Sequence, residues 1–259
     1  MKVRAAVATG AATAVGALML GGCGGSPENT ASTVTIDVYA AASLSAVFTS
    51  LAERYEAANP DVDVRLTFAG SADLAAQINE GAPADVFASA NEAQMDAVAE
   101  HLDGVPTLFA SNTLTIAVPT GNPAGVTGFV SLAAPGLALV ICAPEVPCGA
   151  ATVTVEKTLG VTLSPVSELT SVTDVLGAVS SGEADAGLVY VTDIGRAQGV
   201  EGIPFVGADA AVSRYPIAAL QTGSATDVAA AFVAFVLGPE GQAALKLAGF
   251  GPPDAVASE

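Results

Sequence analysis

Positively charged residues are scarce in this sequence. Eight Lys and Arg residues stand against 26 Asp and Glu residues in a chain of 259, which gives a net charge of −18. Proteins that bind nucleic acids present clustered basic side chains to the phosphate backbone, and no such cluster occurs here. The composition therefore predicts that this protein has no nucleic-acid partner.

Histidine is scarcer still, because His101 is the single example in the chain. A zinc site uses several His or Cys ligands, and a serine hydrolase needs an imidazole base beside its nucleophile. His101 stands at the predicted end of a helix, and no G-x-S-x-G turn occurs. We therefore expect no metal cation and no enzymatic activity. A secreted serine hydrolase, for example one with a Ser–Lys pair, stays a remote alternative.

Cysteine occurs three times, so the chain can form at most one intramolecular disulfide. Cys142 and Cys148 lie six positions apart around a proline-containing loop, and Cys23 is remote from both. In an oxidising compartment this spacing predicts a local Cys142–Cys148 bond, and two free buried thiols are the alternative. By the loop-entropy model such a bond stabilises the chain by roughly 2 kcal/mol, less any strain.

The first residues resemble the signal sequence of a bacterial lipoprotein. Two basic residues precede an apolar run at 5–20, and Leu20-Gly-Gly-Cys23 matches the lipobox before the modified cysteine. We predict a signal peptide at 1–22, lipidation of Cys23 and a flexible tether at 23–33. The protein would then lie at the extracytoplasmic face of the cell membrane, held by its lipid. An uncleaved transmembrane anchor is the alternative.

Tryptophan is absent and aromatic residues make up 5% of the chain, whereas 51% of the chain is apolar. A core dominated by Ala, Val and Gly is typical of α/β proteins with buried strands rather than of β-sandwiches. Residues 34–38 alternate as a strand, and residues 44–58 repeat at three and four as a helix. This order recurs along the chain without a nucleotide-binding glycine loop. We predict one lobe from 34–111 and 215–259, a second from 112–214, and a ligand cleft between them.

Small or hydroxyl-bearing residues occupy four predicted helix starts. These are Ser43, Ser71, Cys148 with Gly149, and Thr173-Asp-Val175, where Thr173 is the predicted cap. Free backbone N–H groups at helix starts, together with the hydroxyl of Tyr190 at a strand end, favour an anion. These segments contain no Lys or Arg, so neutral donors alone would hold a dianion. The alternative is structural, with the serines as plain N-caps and Val175 and Tyr190 as packing residues.

Several stretches resemble the periplasmic molybdate-binding proteins of ABC importers. The stretches are Ala40-Ala-Ala-Ser-Leu44, Phe68-Ala-Gly-Ser-Ala-Asp-Leu-Ala75, Gly81-Ala-Pro-Ala-Asp-Val-Phe-Ala-Ser-Ala90, Val146-Pro-Cys-Gly149 and Ala186-Gly-Leu-Val-Tyr190. The resemblance implies a two-lobed periplasmic binding protein type II fold that closes on molybdate or tungstate. It also implies delivery of the anion to an ABC permease and its ATPase, without a cofactor. We expect the binding protein to be a monomer.

The resemblance further implies roles for five residues. Ser43 and Ser71 would donate hydroxyl and backbone N–H groups to the oxyanion, and Tyr190 would donate its hydroxyl. Cys148 and Val175 would each donate a backbone N–H. The chain departs from the commoner pattern at Cys148, where relatives often carry alanine, but a backbone donor tolerates that exchange. Sulfate or phosphate remains an alternative ligand, because the sequence does not define the size of the cavity.

Overall fold

The computed structural model describes residues 33–255, which form an α/β fold built on two five-stranded sheets. The predicted signal peptide at 1–22, Cys23 and all but the last residue of the predicted tether lie outside the described residues. The strands are β1 (Val34–Ala41), β2 (Val62–Ala69), β3 (Val86–Ala88), β4 (Leu102–Asn112), β5 (Leu114–Pro119), β6 (Leu139–Cys142), β7 (Ser167–Leu169), β8 (Ala186–Tyr190), β9 (Val200–Ile203) and β10 (Ser213–Leu220).

Helices separate most of these strands. The α-helices are α1 (Ser45–Ala58), α2 (Ser71–Asn79), α3 (Glu92–Asp96), α4 (Pro147–Leu159), α5 (Val172–Ser180), α6 (Val191–Ile194), α7 (Thr226–Leu237) and α8 (Pro239–Leu247). Shorter 3-10 turns occupy Ala42–Leu44, Ala99–His101, Phe129–Ala133 and Ala208–Ala210. Between residues 33 and 255 no single helix is long and apolar enough to cross a membrane, and only the pair α7 and α8, bent by 55°, reaches that length and composition together.

The two sheets share one plan. The first has the order β2-β1-β3-β10-β4, with β1, β2 and β3 parallel and β10 antiparallel to both its neighbours. The second has the order β7-β6-β8-β5-β9, with β6, β7 and β8 parallel and β5 antiparallel. The chain passes from the first sheet to the second between β4 and β5, and it returns between β9 and β10. The residue boundaries assigned to the lobes from the sequence stay a prediction.

Each sheet has its own hydrophobic core. In the first lobe, β1 buries alternate residues, and α1 covers the sheet with a face that includes Phe48 and Tyr55. The Phe48 ring packs edge-on against Phe109 and Phe232, at centroid distances of 5.9 and 6.4 Å. In the second lobe, every residue of β6 and β8 is buried, because helices cover the sheet. The near-continuous apolar runs of these strands follow from that burial.

Strand β4 was not predicted from its sequence. Gly104 and Pro106 interrupt its pattern, and proline cannot donate to a sheet ladder. The structure places β4 at the edge of the first sheet, where it pairs with β10 with two register shifts and forms one isolated bridge, from Ser111 to Gly251. An edge strand tolerates proline because one side of its backbone needs no partner strand. The neighbouring strand therefore decides this element, rather than the local pattern.

Candidate functional site

Four of the five predicted ligand residues line one small cavity between the two sheets. Its lining includes Ser43 and Ser71 from the first lobe and Cys148 and Tyr190 from the second. The cavity is small, with about 10 Å³ of space open to the centre of a water molecule. Val175, the fifth predicted residue, does not line this cavity.

Ser43 reaches the cavity from a tight turn rather than from a helix cap. β1 ends at Ala41, and the chain enters the 3-10 turn Ala42–Leu44 before α1 begins. The alternative interpretation of Ser43 as a plain N-cap is wrong, because the N-cap of α1 is Leu44 and no side chain caps that helix. The side chain of Ser43 is therefore free to make tertiary contacts, and its Oγ lies 3.0 Å from the hydroxyl oxygen of Tyr215.

Ser71 is the first residue of α2 and is buried. Its Oγ accepts a hydrogen bond from the backbone N–H of Ala90 at 3.0 Å. Gly70, just before it, must be glycine because a Cβ there would collide with the backbone carbonyl of Thr170 in the opposite lobe. The two lobes therefore approach to backbone contact beside the cavity.

Cys148 stands in the first turn of α4. Pro147 occupies the first position of this helix, where a missing N–H costs nothing. The N–H of Ala150 makes the bond to Val146, so the N–H groups of Cys148 and Gly149 precede the intrahelical ladder. A disulfide joins Cys148 to Cys142 at the end of β6. This bond ties the helix start directly to a central strand.

The start of α5 differs from the prediction, and the difference bears on Val175. The helix begins at Val172, two residues before the predicted start, and its N-cap is Ser171, not Thr173. Ser171 Oγ accepts from the N–H of Asp174 at 3.2 Å, and the N–H of Val175 bonds to the Ser171 carbonyl at 3.3 Å. The N–H of Val175 is therefore hydrogen-bonded within the helix, and Val172 and Ser171 line the cavity instead.

A sequence signal for this start was present. Ser171 and Asp174 have the S-x-x-D spacing of a reciprocal helix cap, and the Ser171 hydroxyl also donates to Asp174 at 2.7 Å. Thr173 followed by Asp174 offers a second plausible cap in the same stretch, and the two choices differ by two positions. That difference moves the first free backbone N–H from one side of the helix to another.

Tyr190 is the last residue of β8, and its side chain is fully buried. Its hydroxyl oxygen accepts a hydrogen bond from Ser213 Oγ at 3.1 Å. Burial raises the pKa of Tyr190 far above that of a free tyrosine, and it raises the pKa of Tyr215 in the same way. Both phenols therefore keep their protons at neutral pH and can act as donors.

Charged side chains lie outside the lining of the cavity. Within the described residues, the cavity lining contains no Lys, Arg, Asp or Glu. The nearest ion pair on the second lobe joins Arg196 to Asp193 at 2.8 Å, and the same guanidinium reaches Ser45 and Thr173 at 3.4 and 3.0 Å. Burial raises the pKa of the Asp193 carboxyl, while the facing Arg196 guanidinium opposes that shift.

The arrangement suits an anion better than a cation. Helices α2, α4 and α5 begin at the cavity and direct free N–H groups and the positive ends of their dipoles toward it. Hydroxyl donors from Ser43, Ser71 and Tyr190 add to this set. Over residues 33–255, no three His, Cys, Asp or Glu side chains lie together as ligands of a metal cation would.

Two α/β lobes with a donor-lined cavity between them define a solute-binding protein. The chain belongs to the bacterial extracellular solute-binding protein family, whose model it matches over residues 36–251. The predicted two-lobed periplasmic binding fold is thereby confirmed. Family membership places the chain among extracytoplasmic binding proteins rather than enzymes.

Within that family the chain is similar to proteins named for one anion. It is 48% identical to molybdate-binding protein ModA of Mycobacterium tuberculosis (strain ATCC 25618 / H37Rv) over 222 residues, which cover 85% of each chain. It is 32% identical to ModA of Escherichia coli (strain K12) over 230 residues, which cover 83% of this chain and 88% of that one.

Solved structures share the fold. The periplasmic molybdate-binding protein of Azotobacter vinelandii matches with a TM-score of 0.71 and 23% identity, over 85% of this chain and all of that one. The sulfate-binding protein SubI of Mycobacterium tuberculosis H37Rv also has a TM-score of 0.71, with 18% identity over 85% of this chain and 88% of that one. At these identities the likeness concerns the fold alone.

Proposed function

We propose that this protein captures molybdate or tungstate outside the cytoplasm and delivers the anion to an ABC permease and its ATPase. The observation that carries the proposal is the convergence of neutral donors from both lobes on one cavity, whose lining among residues 33–255 includes no charged side chain. The proposed ligands are Ser43, Ser71, Cys148, Val172 and Tyr190. The 48% identity to ModA of Mycobacterium tuberculosis supports molybdate as the anion.

Neutral donors can hold a dianion when they are preorganised. A hydrogen bond to a charged group contributes about 1.5–3 kcal/mol, so several aligned donors replace a counter-charge. Two serine hydroxyls, one phenol and the N–H groups of three helix starts meet this need. The high pKa values of the buried phenols keep Tyr190 available as a donor.

The small volume of the cavity has a consequence for binding. A tetrahedral oxyanion has five heavy atoms, and the cavity leaves only about 10 Å³ of space for the centre of a water molecule. Ser43, Ser71 and Tyr190 each have a protein partner for their hydroxyl oxygen. We therefore expect the lobes to separate and then close again around the anion, with the hydroxyl protons turning toward it.

Sulfate is the second candidate ligand. The sulfate-binding protein SubI matches this fold with the same TM-score, 0.71, as the Azotobacter molybdate-binding protein. Sulfate is also a tetrahedral dianion without protons at neutral pH, so the same donors suit it. Molybdate is larger, and the size of the closed cavity around the ligand would separate the two.

We further propose that a lipid on Cys23 holds the protein at the outer face of the cell membrane, as a monomer on a tether at 23–33. The lipobox supports this proposal. Intact-mass measurement of the protein from membranes should show diacylglycerol on Cys23, with residues 1–22 removed. A mass equal to that of the uncleaved chain would contradict the proposal.

The first prediction tests the ligand. Isothermal titration calorimetry of the full-length protein in mild detergent should show one-to-one binding of molybdate and tungstate, and no heat from sulfate or phosphate. Binding of sulfate in place of molybdate would keep the anion site and change the solute. The absence of binding heat from all four anions would overturn the proposed function.

A further inference from the structure

A second row of polar groups lies behind the proposed anion ligands. Tyr215 in β10 is fully buried and does not line the cavity, yet its hydroxyl oxygen lies 3.0 Å from Ser43 Oγ. Its ring packs edge-on against Tyr190 at a centroid distance of 6.0 Å. Tyr215 thus contacts one proposed ligand from each lobe.

Asn112 and Ser213 complete this row. Asn112 Oδ1 accepts from the N–H of Thr113 at 3.0 Å, and its Nδ2 donates to Thr192 Oγ1 at 2.8 Å. These two bonds fix the orientation of the amide beside Tyr215, whose pKa is raised mainly by burial and lowered slightly by Asn112. Ser213 Oγ donates to the hydroxyl oxygen of Tyr190.

The row lies on the two strands that carry the chain between the lobes. Asn112 is the last residue of β4, on the outward crossing, and Ser213 is the first residue of β10, on the return. The two residues face each other in the sheet register, and Tyr215 follows two positions later on β10. The groups that contact Ser43 and Tyr190 thus lie at the end of the first sheet where the chain crosses between the lobes.

The protons in this row can be counted. Either oxygen can donate in the bond between Tyr215 and Ser43, and a phenol has one proton to give. Donation from Tyr215 makes Ser43 Oγ the acceptor. When Ser43 Oγ accepts this hydrogen bond, the proton of its own hydroxyl can point into the cavity. Likewise, Tyr190 accepts from Ser213, which leaves the phenolic proton of Tyr190 free to donate.

We infer that Tyr215, supported by Asn112, and Ser213 are positioning residues that turn the hydroxyls of Ser43 and Tyr190 into donors facing the anion. This inference rests on the proposed function and adds residues that do not touch the ligand. It also bears on selectivity: a site of donors alone leaves the proton of hydrogenphosphate without an acceptor. Without the Tyr215 hydroxyl, the Ser43 oxygen can accept a hydrogen bond from the O–H of hydrogenphosphate.

The test is a double-mutant cycle on molybdate affinity, measured by calorimetry on the full-length protein. Tyr215→Phe keeps the ring and removes the hydroxyl, and we expect Kd to rise about tenfold. In the Ser43→Ala background, the same Tyr215→Phe change should alter Kd by less than about twofold, because its target is already gone. We also expect phosphate, which should give no heat with the native protein, to give measurable heat with Tyr215→Phe.

Tyr55→Phe is the matched control. Tyr55 is a buried tyrosine of the first lobe that packs against Phe232 and Phe235, and it does not line the cavity. Loss of its hydroxyl should leave the molybdate Kd unchanged. Thermal unfolding without ligand, recorded for every variant, separates a loss of folding from a loss of binding.

A second cycle keeps the inference testable if Tyr215→Phe does not fold. Ser213→Ala should raise the molybdate Kd severalfold in the native background and leave it unchanged in the Tyr190→Phe background. Ser213→Thr, which retains the hydroxyl, should restore the affinity.

The outcomes distinguish this inference from the proposed function. If the native protein binds molybdate but Tyr215→Phe leaves Kd unchanged, or weakens binding equally with and without Ser43, the inference fails alone. Additive effects would mean that Tyr215 acts through packing. If the native protein binds neither molybdate nor tungstate, the proposed function fails and the inference fails with it.

Discussion

At the start of α5, a difference of three positions decides which backbone N–H faces the cavity. Val172 occupies the first helical position, before the intrahelical ladder, whereas the N–H of Val175 is bonded to the Ser171 carbonyl. Both valines are buried, so their hydrophobicity does not distinguish them. The location of the N-cap residue does, because it determines which N–H groups remain free.

Val172→Pro tests this assignment at the scale of one atom. Proline is tolerated at the first helical position, and Ser171 before it has φ −144° and ψ 154°, which a residue before proline can adopt. The substitution removes one N–H donor, and we expect the molybdate Kd to rise at least tenfold, measured by calorimetry. Thermal unfolding without ligand should show that the variant folds.

Glu92→Pro is the matched control for that substitution. Glu92 is the first residue of α3, its N-cap Asn91 is also extended, and it does not line the cavity. The affinity of this variant should equal that of the native protein. An unchanged Kd in Val172→Pro would remove Val172 from the ligand set.

At the scale of the element, α4 shows how a helix start is held in place. Its first turn presses against the preceding loop, since a Cβ on Gly149 would collide with the Ala143 carbonyl. The disulfide from Cys148 to Cys142 anchors the same turn to β6. The free N–H of Cys148 is therefore held by both a close backbone contact and a covalent bond.

Removal of the disulfide should affect both stability and binding. In the variant with Cys142→Ser and Cys148→Ser, the free energy of unfolding should fall by roughly 2 kcal/mol, measured by chemical denaturation. The molybdate Kd should rise as well, because the first turn of α4 loses its link to β6. Reduction of the native protein should reproduce both effects and leave the variant unchanged. Equal stability and affinity with and without the bond would contradict this role.

The two lobes are linked by side chains as well as by the crossing strands. Arg196, paired with buried Asp193 in the second lobe, donates across the cleft to Ser45 at the start of α1 at 3.4 Å. Gln94 of the first lobe donates to the carbonyl of Glu145 in the second at 2.9 Å. These contacts stabilise the closed arrangement of the lobes over the cavity.

Ser45→Ala should shift the whole molecule toward an open cleft. Loss of one interlobe hydrogen bond of about 0.5–1 kcal/mol predicts that molybdate dissociates about two- to fivefold faster in stopped-flow experiments. Arg196→Ala should instead lower the free energy of unfolding by about 3–5 kcal/mol, because Asp193 would be left buried without its partner.

Thr49→Ala is the control on the same helix. Thr49 is exposed, and its hydroxyl donates to the backbone carbonyl of Ser45 in the preceding turn. It should dissociate molybdate at the native rate. A native dissociation rate in Ser45→Ala would mean that the Arg196 contact does not hold the lobes together.

The amino-acid sequence by itself determined the α/β class, most strands and helices, and the positions of Ser43, Ser71, Cys148 and Tyr190 at element ends. Periodicity and turn residues act between neighbours a few positions apart, so a local pattern records them. The edge strand β4 escaped prediction because its partner β10 begins about a hundred residues later along the chain.

Only the tertiary structure decided how the site is assembled. It showed which of two adjacent candidates, Ser171 and Thr173, caps α5. It also brought Tyr215 to Ser43 across 172 positions of sequence. A hydrogen bond between buried side chains depends on distance and direction in the folded chain, and no local pattern of residue types encodes either.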